Sequence, residues 1–159
     1  MFRGVLNLHN VRVAFKKDVS IPQLGLSHRA GTTAEIPLYL AIRLEELGAV
    51  EIDESQAVQP REVATLRYRE QKESLPVELP EGFYARAKLG HYLLSKRGDV
   101  KNAKALAQEV RELAVERLRK IVVLLASRPE MVDDQDFLRR LTPEERALLF
   151  TLHVDIFPN

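Results

Sequence analysis

"AEIPLYLAIRLEELGAVEI", residues 34–52, reads as one short helix running into a strand. At ~100° per residue, Leu38, Ala41 and Ile42 fall on one side of that helix, and Leu40, Leu44 and Leu47 on the opposite side. Pro37 suits a first turn, because its φ is fixed and its missing N–H has no helical partner to lose. Gly48 is placed to close the helix in a left-handed conformation. One apolar side buries a helix against its own domain, and a second apolar side needs a second cover.

Outward from this stretch the chain divides. "VRVAF" (11–15) and "DVSIPQL" (18–24) look like two strands joined by a tight turn at Lys16 and Lys17, with Pro22 marking the second as an edge. "GLSHRAGTTAE" (25–35) reads as loop, and "AVEIDE" (49–54) as one more strand. Residues 1–58 thus form a small β-rich domain with one helix, near the lower size limit for independent stability. From Gln59 the pattern is helical: 61–74, 82–96, 99–126, a short piece near 133–140, and 143–156, separated by "SLPVELPEG", "KRGD" and "SRPEM". In "LTPEERALLF" (141–150), Thr142 can cap, Pro143 fits the first position and Glu145 can complete a capping box. The expected fold is α+β, with the β-rich domain followed by an all-helical bundle over 59–159.

Composition excludes several functions. Hydrophobic residues at 45% and charged residues at 30% are a globular, soluble mixture. No run approaches the ~18 to 20 apolar residues of a membrane span, and "MFRGVLNLHNVRVAF" lacks the look of a secretion signal, so a cytoplasmic protein without membrane contact is expected. The absence of cysteine removes disulfides, thiol catalysis and cysteine-based zinc sites. Few Asn and Gln beside many Glu, Lys and Arg hint at a thermophile. The net charge is +1, with six basic and seven acidic residues through Val58, so neither half is a nucleic-acid arm by bulk charge. His9, His28, His91 and His153 have no metal-ligand spacing, and no phosphate-cradling glycine loop or nucleophile motif accompanies them. Asp133, Asp134 and Asp136 lack the glycine turn and distal Glu of a calcium loop and read as a solvated helix start. Neither an enzyme nor a cofactor is expected.

Two features stand out. Arg86, Lys88, Lys96, Arg97, Lys101 and Lys104 lie between Ala85 and Ala105 against Asp99 alone. Such a cluster is either an ordinary solvated helical hairpin or a sequence-blind, salt-sensitive contact to DNA phosphates. The second is a misplaced charge. With Leu106 at zero, the apolar stripe of the long helix holds Ala103, Val110, Leu113, Ala114, Ile121 and Leu124. Arg117 falls inside it, at about 20°, and Lys120 lies at its margin. A desolvated guanidinium without an acid would cost several kcal/mol, so Arg117 is expected to be paired, with Glu70, Glu73, Glu144, Glu145 or Asp155 as candidates, or to emerge at an interface.

Residues Ile36, Pro37, Leu38, Tyr39, Leu40, Ala41, Ile42 and Leu44 resemble the signature of the GINS replication family, in the class whose β-rich (B-type) domain precedes the helical (A-type) domain. "VERLRKI" resembles the family's Arg-x-x-Lys element, on Arg117 and Lys120, and "LTPEERALLFTLHVDI" its final helix. The domain order resembles the archaeal subunit of the Psf-two and Psf-three lineage. The resemblance implies a scaffold without catalysis. Its partners would be a sister GINS subunit with the α-domain first, in a two-plus-two heterotetramer, and beyond it the MCM helicase and a RecJ-like relative of the Cdc forty-five protein. A place at replication forks on the nucleoid would follow. Pro37, Leu40, Leu44, Leu47, Arg117, Lys120, Leu149 and Leu152 would be its structural and interface residues. The other side of the 37–47 helix would then press on the helical domain or a neighbouring subunit. A helix-turn-helix DNA-binding regulator is the alternative. It is disfavoured by the near-balanced charge and the lack of a recognition helix rich in base-reading side chains.

Overall fold

The computed structural model describes residues 9–156, with side chains through Leu149. Leu152, His153 and Asp155 therefore lie outside the described side chains. The chain forms two compact units that divide between Ala57 and Val58.

The first unit is built on strand β1 (Asn10–Phe15), whose Val11, Val13 and Phe15 are buried while Asn10, Arg12 and Ala14 are exposed. β1 is central in an antiparallel sheet of order β4–β1–β5, between β4 (Thr33–Pro37) and β5 (Val50–Ile52). The register sets Val11 opposite Ile36, Val13 opposite Ile52, and Phe15 opposite Val50, so the period-2 alternation of three strands collects one apolar face. Helix α1 (Leu38–Glu46) packs on all three strands. Its amide at Leu38 donates to the His9 carbonyl (2.8 Å). Gly48, at φ 74°, ends it in a left-handed turn that satisfies the carbonyls of Leu44 and Glu45. The Gln56 side chain bonds both the N–H and the C=O of Arg12, continuing the ladder where no strand follows.

The expected hairpin of 11–15 with 18–24 does not form. β2 (Val19–Ile21) pairs instead with β3 (Leu26–His28) as a separate two-stranded sheet, and Pro22–Leu24 is a short 3-10 turn between them. Likewise 25–35 is not all loop, since it holds β3 and most of β4. β1 instead finds partners some twenty to forty residues away, pairings that turn chemistry near Lys16 cannot announce. Pro37 closes β4 and stands just before α1, not in its first turn. Leu38, Leu40, Ala41 and Leu44 are buried, so both sides of α1 are covered, whereas Leu47 caps the helix and is 59% exposed.

The second unit contains α2 (Pro60–Lys72), α3 (Phe83–Lys96), α4 (Val100–Ser127), α5 (Gln135–Arg140) and α6 (Pro143–Ile156). α2 buries Val63, Leu66 and Glu70, one face at helical spacing. α3 and α4 form a tight hairpin through Gly98, with Asp99 capping α4 at the Asn102 amide. "SRPEM" is partly ordered as a 3-10 turn over Pro129–Asp133, and Asp134 then caps α5 at the Phe137 amide. The Thr142 and Glu145 capping box is formed in both directions, at 3.2 and 2.9 Å. Phe137, Leu141 and Leu149 pack with Ile121 to join α5 and α6 to the long helix.

Candidate interaction sites

Arg117 is the largest fully buried side chain among the described residues. Helix period places it between Leu113 and Ile121 on the inner stripe of α4, and all five of its N–H donors are used. Nε and Nη2 grip the Glu145 carboxylate (both 2.8 Å), Nη1 binds Glu70 Oε2 (3.0 Å) and the Val77 carbonyl, and Nη2 binds the Arg140 carbonyl (3.0 Å). None is left for Glu73 or Glu144. Each carboxylate is itself saturated. Glu145 also accepts from the Thr142 amide and the Tyr84 hydroxyl (3.2 Å), and Glu70 from the Val77 amide and Lys120 Nζ. Lys120 directs its remaining donors to the carbonyls of Glu70 and Glu73.

Two cations thus face two carboxylates with every polar atom engaged, the condition under which a buried ionic cluster is tolerated. Burial alone pushes the Arg117 pKa down. The bonds and charge of Glu145, then the charges of Tyr84 and Glu70, outweigh it, and the guanidinium is held more firmly charged than usual. Burial first, and the Glu145 charge second, raise the Tyr84 hydroxyl well above its ordinary value. The cluster ties α2, the 73–82 connection, α3, the α5–α6 joint and α6 to one point on α4.

Arg67, which the pattern of apolar residues does not single out, forms a second clamp. It reaches Glu109 (3.2 Å), Glu112 (2.8 Å) and Glu116 (3.1 Å) on successive turns of α4. The run of Glu at spacings of three and four was its signal.

The basic residues fall into two groups. Lys96, Arg97, Lys101 and Lys104 are exposed around the α3–α4 turn, while Arg86 and Lys88 are half-buried along α3, Arg86 lying 3.9 Å from Glu62. The acidic trio is dispersed: Asp134 caps α5, and Asp136 pairs with Arg139 (2.7 Å) and Arg140 (3.2 Å). His28 stacks on Phe15, with ring centroids 4.6 Å apart, and His91 is exposed. No group of three metal-ligating side chains occurs among the described residues, and no described helix is long and apolar enough to cross a membrane.

Residues 57–156 match the GINS complex protein helical bundle domain, a span that begins at the end of the first unit and takes in α2 through α6. The chain belongs to the GINS family. It is thereby a scaffold subunit in DNA replication that works in complex with other GINS subunits, a family of structural and non-catalytic proteins. No curated protein sequence matches it. Family membership leaves the helix-turn-helix reading without support.

Proposed function

We propose that the chain is the archaeal GINS subunit of the β-domain-first class, in the Psf-two and Psf-three lineage. Residues 1–58 serve as its B-type domain and 59–159 as its A-type domain. It pairs with a sister subunit of opposite domain order in a two-plus-two heterotetramer, which bridges the MCM helicase and a RecJ-like relative of the Cdc forty-five protein in a CMG-like replicative helicase at the fork. The observation that carries this reading is the order of the units: a β-rich unit stands N-terminal to a helical unit, and residues 57–156 match the GINS helical bundle domain. Of the residues expected at its interfaces, Leu47 is exposed, whereas Leu40, Leu44 and Leu149 are buried within this chain.

Co-expression with the organism's other GINS subunit, followed by light scattering, tests the pairing. The expected mass is that of two copies of each chain. A stable monomer at micromolar concentration, indifferent to the sister subunit, overturns it. The exposed positions of Lys96, Arg97, Lys101 and Lys104 favour a second role in contact with DNA. Replacing these four with Ala in the assembled complex should flatten the salt dependence of DNA binding, by up to ~0.9 in log-log slope per lost phosphate contact. An unchanged slope makes this an ordinary solvated edge.

A further inference from the structure

The solvent face of α2 lies opposite the face that packs on α4, and it is basic. With Arg61 at zero and ~100° per residue, Tyr68 and Lys72 fall within about 20° of it, Thr65 at about 40° and Arg69 at about 80°. The buried Val63, Leu66 and Glu70 fall between about 140° and 200°. All five residues of the outer stripe are exposed, Tyr68 at 59%. Lys72 sets its ammonium over the Tyr68 ring, 4.3 Å from the centroid. Arg61 and Arg69 have no side-chain hydrogen bond or ion pair among the described residues.

The neighbouring carboxylates are engaged on other faces or leave the stripe unpaired. Glu62 lies 3.9 Å from Arg86, and Glu70 is held by Arg117 and Lys120. Glu109, Glu112 and Glu116 converge on Arg67, which is about 100° round the helix from Tyr68. Glu73, just past the helix end, bonds Lys120 through its carbonyl and pairs with no cation of the stripe. Helix stability explains only part of this face. Arg69 and Lys72 suit the dipole of the last turn, and Lys72 on Tyr68 is an i,i+4 pair. Arg61 stands in the first turn, where the dipole disfavours a cation. An exposed ring among three cations is the combination that holds a single nucleic-acid strand: cations track the phosphates, and bases stack on the ring. A duplex hides the base faces, and an acidic peptide would leave the ring idle.

We propose that the outer face of α2 binds single-stranded DNA, with a base stacked on Tyr68 and phosphates on Arg61, Arg69 and Lys72. The inference needs neither the α3–α4 turn nor the subunit pairing, and the family's place in DNA replication decides for DNA over RNA. Fluorescence anisotropy of labelled oligothymidine measures Kd over a range of salt, for the full chain alone and in complex with the sister subunit. Tyr68→Ala should weaken binding about tenfold, and Tyr68→Phe, which keeps the ring, should hold the parent's affinity. Arg61→Gln, Arg69→Gln and Lys72→Gln together should flatten the log-log salt slope by up to ~0.7 per lost phosphate contact. An abasic oligonucleotide of equal length should bind the parent and Tyr68→Ala alike. Circular dichroism should match the parent's throughout, because none of these side chains is buried.

A parent that fails to bind oligothymidine in low salt overturns the site, as does binding by the chain that the complex lacks. Binding left unchanged by Tyr68→Ala and by the triple variant also overturns it and places DNA on another surface. Loss in the triple variant with Tyr68→Ala unaffected overturns the stacking ring. Polyglutamate that displaces the labelled strand as well as unlabelled oligothymidine does overturns the choice of DNA in favour of an acidic protein.

Discussion

Arg117 and Arg119 stand two residues apart on α4 and face opposite ways. The inner arginine has five donors, five acceptors and no exposure; the outer one is exposed and unpaired among the described residues. Both sit in an aliphatic seam, Arg117 between Leu113 and Ile121, Arg119 between Val115 and Val122. A guanidinium surrounded by aliphatic carbon needs carboxylates or carbonyls once water is removed. For Arg117 the chain supplies them itself. For Arg119 it does not, and that difference separates a residue that organises the fold from one that faces solvent.

The largest expected effect breaks the inner half of this comparison. Arg117→Ala leaves Glu70 and Glu145 buried without their main cation and should cost on the order of 3 to 5 kcal/mol in denaturant unfolding. Arg117→Met keeps most of the packing and should lose a similar amount, because the orphaned carboxylates and not the missing methylenes dominate. Arg117→Lys, with three donors in place of a five-donor fork, should fall between parent and Ala. Melts of all three that coincide with the parent's would refute the clamp.

Lys120 is next. Its ammonium has three acceptors, all on the last turn of α2 and the residues just after it. Lys120→Met should cost about 1 to 3 kcal/mol, as a lost charged hydrogen-bond set at a half-buried site. It should also loosen the 73–82 connection, seen as faster amide exchange at Val77. Exchange at Val77 that stays at the parent's rate would mean that Glu70 and Arg117 hold the connection without help.

How much of this was legible depended on range. Helix period alone put Arg117 inside the stripe, and the capping box was readable because Thr142, Pro143 and Glu145 are local. Choosing Glu70 and Glu145 over Glu73 and Glu144 required the packing of α2 and α6 on α4, which spacing does not encode. The Val77 and Arg140 carbonyls carry no side-chain signal at all. The β unit shows the same limit. Val11, Val13 and Phe15 announced a strand, but its neighbours at 33–37 and 50–52 are set by which apolar faces fit together, so 11–24 resembled a hairpin and 25–35 a loop. Arg119 and its valines were visible as letters, yet only their exposure distinguishes an open seam from a buried one.

Tyr84 sharpens the comparison through pH. Its hydroxyl donates to Glu145 Oε2, and burial keeps its folded-state pKa above that of an unfolded tyrosine. A raised pKa of this kind contributes stability in full below about pH 10, where the unfolded tyrosine still holds its proton, and loses it as pH rises further. Unfolding free energy should therefore decline more steeply above about pH 10 in the parent than in Tyr84→Phe. At neutral pH the Phe variant should lose about 1 kcal/mol for the missing hydrogen bond. Parallel pH curves for the two proteins would place the alkaline loss on other groups.

The smallest expected effect completes the contrast. Arg119→Ala removes a guanidinium that touches no acceptor of its own chain, so the unfolding free energy of the isolated protein should change by less than about 0.5 kcal/mol, the range of surface substitutions away from special features. Alanine also has the higher helix propensity, which favours the variant slightly. A double-mutant cycle can keep the two faces apart: Arg117→Met and Arg119→Ala should be additive in the isolated chain, since their side chains share no partner. A coupling larger than about 0.5 kcal/mol between them would mean that the two faces of α4 are not independent, and the division between a fold-holding arginine and a solvent-facing one would have to be abandoned.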